Sequence, residues 1–116
     1  MPSCNPESVH EGDVVRLRLR MLDADDEVVD VSVAAGVTSM SIKATGPDGT
    51  TFSGAATYVG PPDGEGDGTD GFIELLTSEG QLSPAGPGWR YQGTVEFATG
   101  PVHSGIETFE VLENLP

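Results

Sequence analysis

Gly88-Trp89-Arg90-Tyr91-Gln92-Gly93-Thr94-Val95-Glu96-Phe97 is the stretch on which the fold turns. Trp89, Tyr91, Val95 and Phe97 share one phase of a two-residue alternation, and Arg90, Gln92, Thr94 and Glu96 share the other. That is the pattern of a half-buried β-strand. The stretch holds the only Trp, one of two Tyr and one of four Phe in the chain. Aromatic side chains carry the most area per residue into a core, so Trp89, Tyr91, Val95 and Phe97 are the expected centre. Gly93 interrupts the apolar phase and marks a place where a bulky neighbour or another backbone comes close.

Working outward, Val15, Leu17, Leu19 and Met21 alternate with Arg16, Arg18 and Arg20, a second in/out strand. A polar turn at 23–27 is followed by extended chain at 28–31 and a small-residue crossing at 32–37. Met40, Ile42 and Ala44 then face one way, opposite Ser41, Lys43 and Thr45. Gly46-Pro47-Asp48-Gly49 has Pro second and Gly fourth, which suits a type I turn. Residues 50–59 read as one strand weakened at Gly54 and ended by Pro61-Pro62. A Gly-rich acidic loop at 63–71 precedes a short strand at 72–76, and 78–87 is a second loop. Thr99-Gly100-Pro101 turns the chain, and the last strand covers about 104–112 with Phe109 and Val111 inward.

About seven short strands and no long helix define the expected fold class: all-β, an antiparallel Ig-like β-sandwich. The Cys…Trp…Cys arrangement of true Ig domains is absent, so the likeness is one of architecture. Residues 1–12, with small polar residues and no periodicity, read as an N-terminal arm. Residues 13–116 read as a single domain, large enough to bury a core without staples. Cys4, the sole cysteine, cannot bridge within the chain and reads as a free thiol.

Nineteen acidic residues against five basic ones give a formal charge of −14. Such a surface repels phosphate backbones and anionic bilayers, so neither direct nucleic-acid binding nor membrane binding is expected. There is no apolar run of transmembrane length, and the first residues lack the basic start and apolar core of a signal peptide.

The sequence offers catalysis little footing. His10 falls in the arm, His103 falls in a turn, and its neighbour Ser104 sits in no nucleophile motif. We expect no enzyme, no catalytic residues and no cofactor. Asp63, Glu65 and Asp67, then Gly68, then Glu74 five residues further on, fit the spacing of a calcium loop except for Glu at the third ligand position. No helix flanks the loop, Pro61-Pro62 precedes it, and Glu74 falls in a strand. The expectation is therefore a solvated loop and no metal. Arg16, Arg18 and Arg20 form a stripe holding three of the five cations. Cross-strand pairing with acidic neighbours is the first reading, and docking of an acidic partner the second.

Gly46-Pro47-Asp48-Gly49-Thr50, Asp67-Gly68-Thr69-Asp70-Gly71, Leu82-Ser83-Pro84-Ala85-Gly86, Trp89, Gln92-Gly93 and Phe109-Glu110-Val111 follow one another in a familiar order. Over roughly residues 12–113 the chain resembles the Ig-like domain at the N-terminus of phage baseplate upper proteins, also found in short virion proteins of tailed phages. Here the loop before Asp67 is longer and more acidic, and Pro87-Gly88 stands between Gly86 and Trp89. The resemblance implies a non-enzymatic structural module of a virion. Its partners would be other virion structural proteins in a symmetric, multi-copy assembly, made in the host cytoplasm. With no shaft or receptor-binding segment after Pro116, the expected role is an adaptor, ring or decoration subunit of the tail, neck or baseplate. Capsid decoration is the alternative within that class. Outside it stands a secreted carbohydrate- or calcium-binding sandwich.

Overall fold

The structure is a computed structural model that describes residues 8–10, 13–78, 81–82 and 85–112. Nine strands and one short 3-10 turn occur among these residues. They are β1 (Ser8–His10), β2 (Arg16–Arg20), the turn at Val33–Ala35, β3 (Val37–Thr45), β4 (Thr51–Ala55), β5 (Thr57–Tyr58), β6 (Phe72–Leu76), β7 (Gly86–Phe97), β8 (Gly100–His103) and β9 (Glu107–Leu112). Six of them form one sheet in the order β1-β9-β7-β3-β4, with β8 paired to β7. The other three form a smaller sheet, β2-β6-β5. The fold is all-β, as the alternation implies, with two sheets facing across a shared core.

β7 is the axis of the large sheet, hydrogen-bonded to β3, β8 and β9. Trp89, Tyr91 and Val95 are buried, with Trp89 fully sealed, while Phe97 at the strand end is half-buried against the same core. Trp89 lies between Phe52 on β4 and Phe109 on β9, with ring centroids 6.2 Å and 5.9 Å away. Tyr91 meets Phe109 edge-on at 5.8 Å. Such tilted pairs suit the ring quadrupoles, beyond the area they bury. From the opposite sheet come Leu17, Leu19 and Ile73, all buried.

Gly93 is a point of close approach between the sheets. A β-carbon there would lie 3.0 Å from Leu19 Cδ1 and 3.1 Å from Ile73 Cδ1, so the side-chain gap is filled from across the core. Gly46 does the same for the aromatic cluster: its added β-carbon would lie 2.8 Å from the Trp89 ring. The 46–49 turn joins β3 to β4, with the Gly49 N–H donating to the Gly46 carbonyl and Gly49 at φ +89°.

Four expectations need correction. The described residues hold nine strands: Ser8–His10, the Gly100–His103 hairpin on β7 and the division of 50–59 into two add three, and 28–31 drops out. β4 belongs to the large sheet and β5 to the small one; the chain changes sheet at Ala56, whose N–H donates to the Met40 carbonyl. Alternation continues across such a switch, so the pattern alone reads as one strand. Residues 28–31 form no strand ladder: Val28 bridges Leu22, while the Val29 and Val31 N–H groups donate to the Met21 and Gly68 carbonyls. Finally, the arm is not wholly an arm: Ser8–His10 pairs with β9 in parallel, so the large sheet is mixed, and Val9 joins the core. A three-residue strand is too short to show a period. The rest of 1–12, with Cys4, lies outside the described residues.

Candidate functional site

The outer face of the small sheet gathers most of the singled-out residues. Antiparallel pairing sets Arg16 opposite Leu76, Arg18 opposite Glu74 and Arg20 opposite Phe72. Residues directly opposite share a face, so the arginine stripe and Glu74 project together. Arg18 Nε donates to Glu74 Oε2 at 2.6 Å, and Arg16 Nη1 donates to Glu74 Oε1 at 3.3 Å. Arg18 Nη1 donates to Asp63 Oδ2 at 2.9 Å. Arg20 Nε donates to the Asp70 carbonyl at 2.8 Å, and its guanidinium lies 4.7 Å from the centre of the Phe72 ring. The Glu74 and Asp63 hydrogen bonds hold the Arg18 guanidinium pKa above its already high ordinary value.

Asp63 and Glu74, the ends of the calcium-spacing match, thus both face a guanidinium. Asp67 is occupied locally: its Oδ1 accepts from the Thr69 hydroxyl at 2.7 Å and from the Thr69 N–H, which keeps this carboxyl below its usual range. Among the described residues the side chain of Glu65 has no hydrogen-bond partner, while its N–H donates to Asp70 Oδ2. Among the described residues no group of three or more His, Cys, Asp and Glu is placed to hold a metal ion. The sequence spacing is present, but the β2–β6 register turns Glu74 onto Arg16 and Arg18, and Asp63 meets the same Arg18 guanidinium.

The loop itself is anchored. The Val31 N–H donates to the Gly68 carbonyl, and the Tyr58 hydroxyl donates to the Val31 carbonyl. Gly68, at φ +84°, packs so closely that a β-carbon would lie 2.4 Å from the Tyr58 ring. Hydrogen bonds from Ser32 and Thr50 likewise hold the Asp30 and Asp48 carboxyls below their usual range.

His103 and Ser104 face different partners. His103 Nδ1 lies 3.0 Å from Thr94 Oγ1. The Ser104 hydroxyl donates to the Gly105 carbonyl and accepts the Gly93 N–H, tying β7 to the following turn. His10 is exposed on β1, and its N–H donates to the Asp13 carboxylate.

Two features are invisible in the sequence. Tyr91, on β7 of the large sheet, reaches across to donate to the Arg18 carbonyl on β2 at 2.7 Å, and burial pushes its hydroxyl pKa up. On the opposite side of the molecule, β3, β7 and the start of β9 frame a shallow groove of about 380 Å³ lined by Lys43, Thr45, Arg90, Tyr91, Gln92 and Ile106. Alternation marks Lys43 and Arg90 as outward-facing, but only the β3–β7 register makes them neighbours.

Comparisons with models of protein families, with curated proteins and with solved structures give no match to this chain. No helix among the described residues is long and apolar enough to cross a membrane.

Proposed function

We propose that this chain is a non-enzymatic structural protein of a tailed virus, an adaptor, ring or decoration subunit in the tail, neck or baseplate region. The observation that carries the reading is the ordered succession of turn and strand motifs, which resembles that of the Ig-like domain of phage baseplate upper proteins. In this fold those motifs have defined jobs. Gly46-Pro47-Asp48-Gly49 closes the β3–β4 hairpin, and Asp67 to Gly71 forms the turn tied to Val31. Leu82 plugs the core, Gln92-Gly93 allows the close approach of the sheets, and Phe109 packs on Trp89 and Tyr91. A sandwich whose loops are fastened to it, with a side-chain network on one sheet face, suits a passive building block that must hold its shape under load. The test is immunogold labelling of purified particles with an antibody to this chain. Label confined to one tail, neck or baseplate structure is the expected result. Label over the whole head would transfer the role to capsid decoration, and unlabelled particles would overturn the proposal.

A further inference from the structure

Three of the five cations are committed within the chain, Arg16 and Arg18 to carboxylates and Arg20 to a carbonyl and an aromatic ring. Lys43 and Arg90 are not: among the described residues neither makes an ion pair or a side-chain hydrogen bond, although the chain carries nineteen Asp and Glu. Both are exposed, on the outer face of the large sheet. Lys43 pairs in register with Gln92 and Arg90 with Thr45, so the two cations are diagonal neighbours on adjacent strands. Across β4, Lys43 faces Ser53 and Thr45 faces Thr51; across β9, Arg90 faces Thr108. Glu110, two residues beyond Thr108 on the same face of β9, is a diagonal neighbour of Arg90, and Glu107 stands opposite Tyr91, yet among the described residues neither acid pairs with Lys43 or Arg90.

Among the described residues these two positive charges stand unpaired at the rim of a groove. Unpaired charges exposed next to a concavity gain most from a ligand that brings the opposite charge.

We propose that this groove docks an acidic, extended peptide segment of a partner protein, with two carboxylates on one side of the segment meeting Lys43 and Arg90. The spacing favours a peptide. Diagonal neighbours on paired strands lie about 7–8 Å apart, close to the roughly 6.5–7 Å between residues i and i+2 of an extended chain. Gln92 fits the intervening backbone. Its amide nitrogen is held by the Ser104 carbonyl at 2.7 Å, which leaves the amide oxygen to accept an N–H from the segment. Exposed Ile106 offers an apolar contact at the end of the groove. No aromatic ring face is presented there for a sugar to stack on, since Tyr91 is buried. The virion reading is not needed for this site; any partner with such a segment would serve.

Amide NMR of the ¹⁵N-labelled chain at low salt tests it, with a synthetic peptide of alternating Glu and Thr as probe. A Lys/Thr peptide and an oligogalacturonate serve as comparisons. Saturable shifts confined to β3, β7 and residues 106–108, produced by the Glu/Thr peptide alone, are expected. The Lys43→Gln/Arg90→Gln variant should keep the parent's dispersed spectrum and bind roughly threefold to tenfold more weakly. No saturable shift, shifts centred on Arg16, Arg18 and Arg20, or an equal response in the double variant would each overturn the site. A response to oligogalacturonate without one to the peptide would assign the groove to an acidic glycan and overturn the peptide.

Discussion

Tyr91 fastens the two sheets through a single oxygen. Its ring belongs to the aromatic cluster of the large sheet, while its hydroxyl donates to the Arg18 carbonyl on the small one. Burial raises the pKa of that hydroxyl, so the neutral form is the one the fold stabilises. A raised folded-state value gives stability that is fully present below the unfolded value, near pH 10, and is lost as pH climbs toward the folded one. Tyr91→Phe should cost about 1 kcal/mol at neutral pH and flatten the decline in stability above pH about 10. Urea melts at neutral and alkaline pH measure both. Glu74 is the second decisive residue, since its carboxylate serves two arginines and its side chain is only 11% exposed. Glu74→Gln should cost about 1–3 kcal/mol, because Arg18 then keeps only Asp63 as an ionised partner. Calcium should raise the melting temperature of neither protein beyond the effect of NaCl at equal ionic strength. A calcium-specific rise that Glu74→Gln abolishes would make Glu74 a ligand after all.

Strands succeed or fail by what stands opposite them. Gly93 on β7 faces Leu19 and Ile73 so closely that Gly93→Ala should cost about 1–3 kcal/mol by overpacking. Gly105→Ala, where a β-carbon would meet nothing within 4 Å, should stay within about 0.5 kcal/mol of the parent. The pair, compared by denaturant midpoint, separates close approach from a general intolerance of glycine replacement. β2, β3, β7 and β9 were legible in the sequence because each buries one face and exposes the other, and β6, with Ile73 and Glu74 both buried, was legible as a short apolar run between loops. β1 is too short to show a period, and β8 hides behind a turn signal at Gly100-Pro101. The β4–β5 junction keeps its alternation while changing sheet. The arginine stripe was legible as a stripe, and its pairing with acidic neighbours as an expectation. Which acids pair with it depends on the register of β2 with β6 and on the path of the 63–70 loop, and neither is written in local sequence.

At the scale of the whole molecule, charge is laid out unevenly. The small sheet carries an arginine–carboxylate network on its outer face, while on the large sheet Lys43 and Arg90 make no ion pair among the described residues. A formal charge of −14 makes copies of the chain repel one another. The proposed assembly into a multi-copy structure would therefore rely on particular interfaces rather than general stickiness. Sheet edges are natural candidates, because an edge strand presents unpaired backbone groups to another chain. Quantitative mass spectrometry of particles taken through successive density gradients tests the proposed virion role most directly. The chain should remain in a fixed ratio to the major virion proteins through every round of purification. A ratio that falls toward zero with each gradient, with the chain recovered among unassembled proteins, would contradict a structural place in the particle.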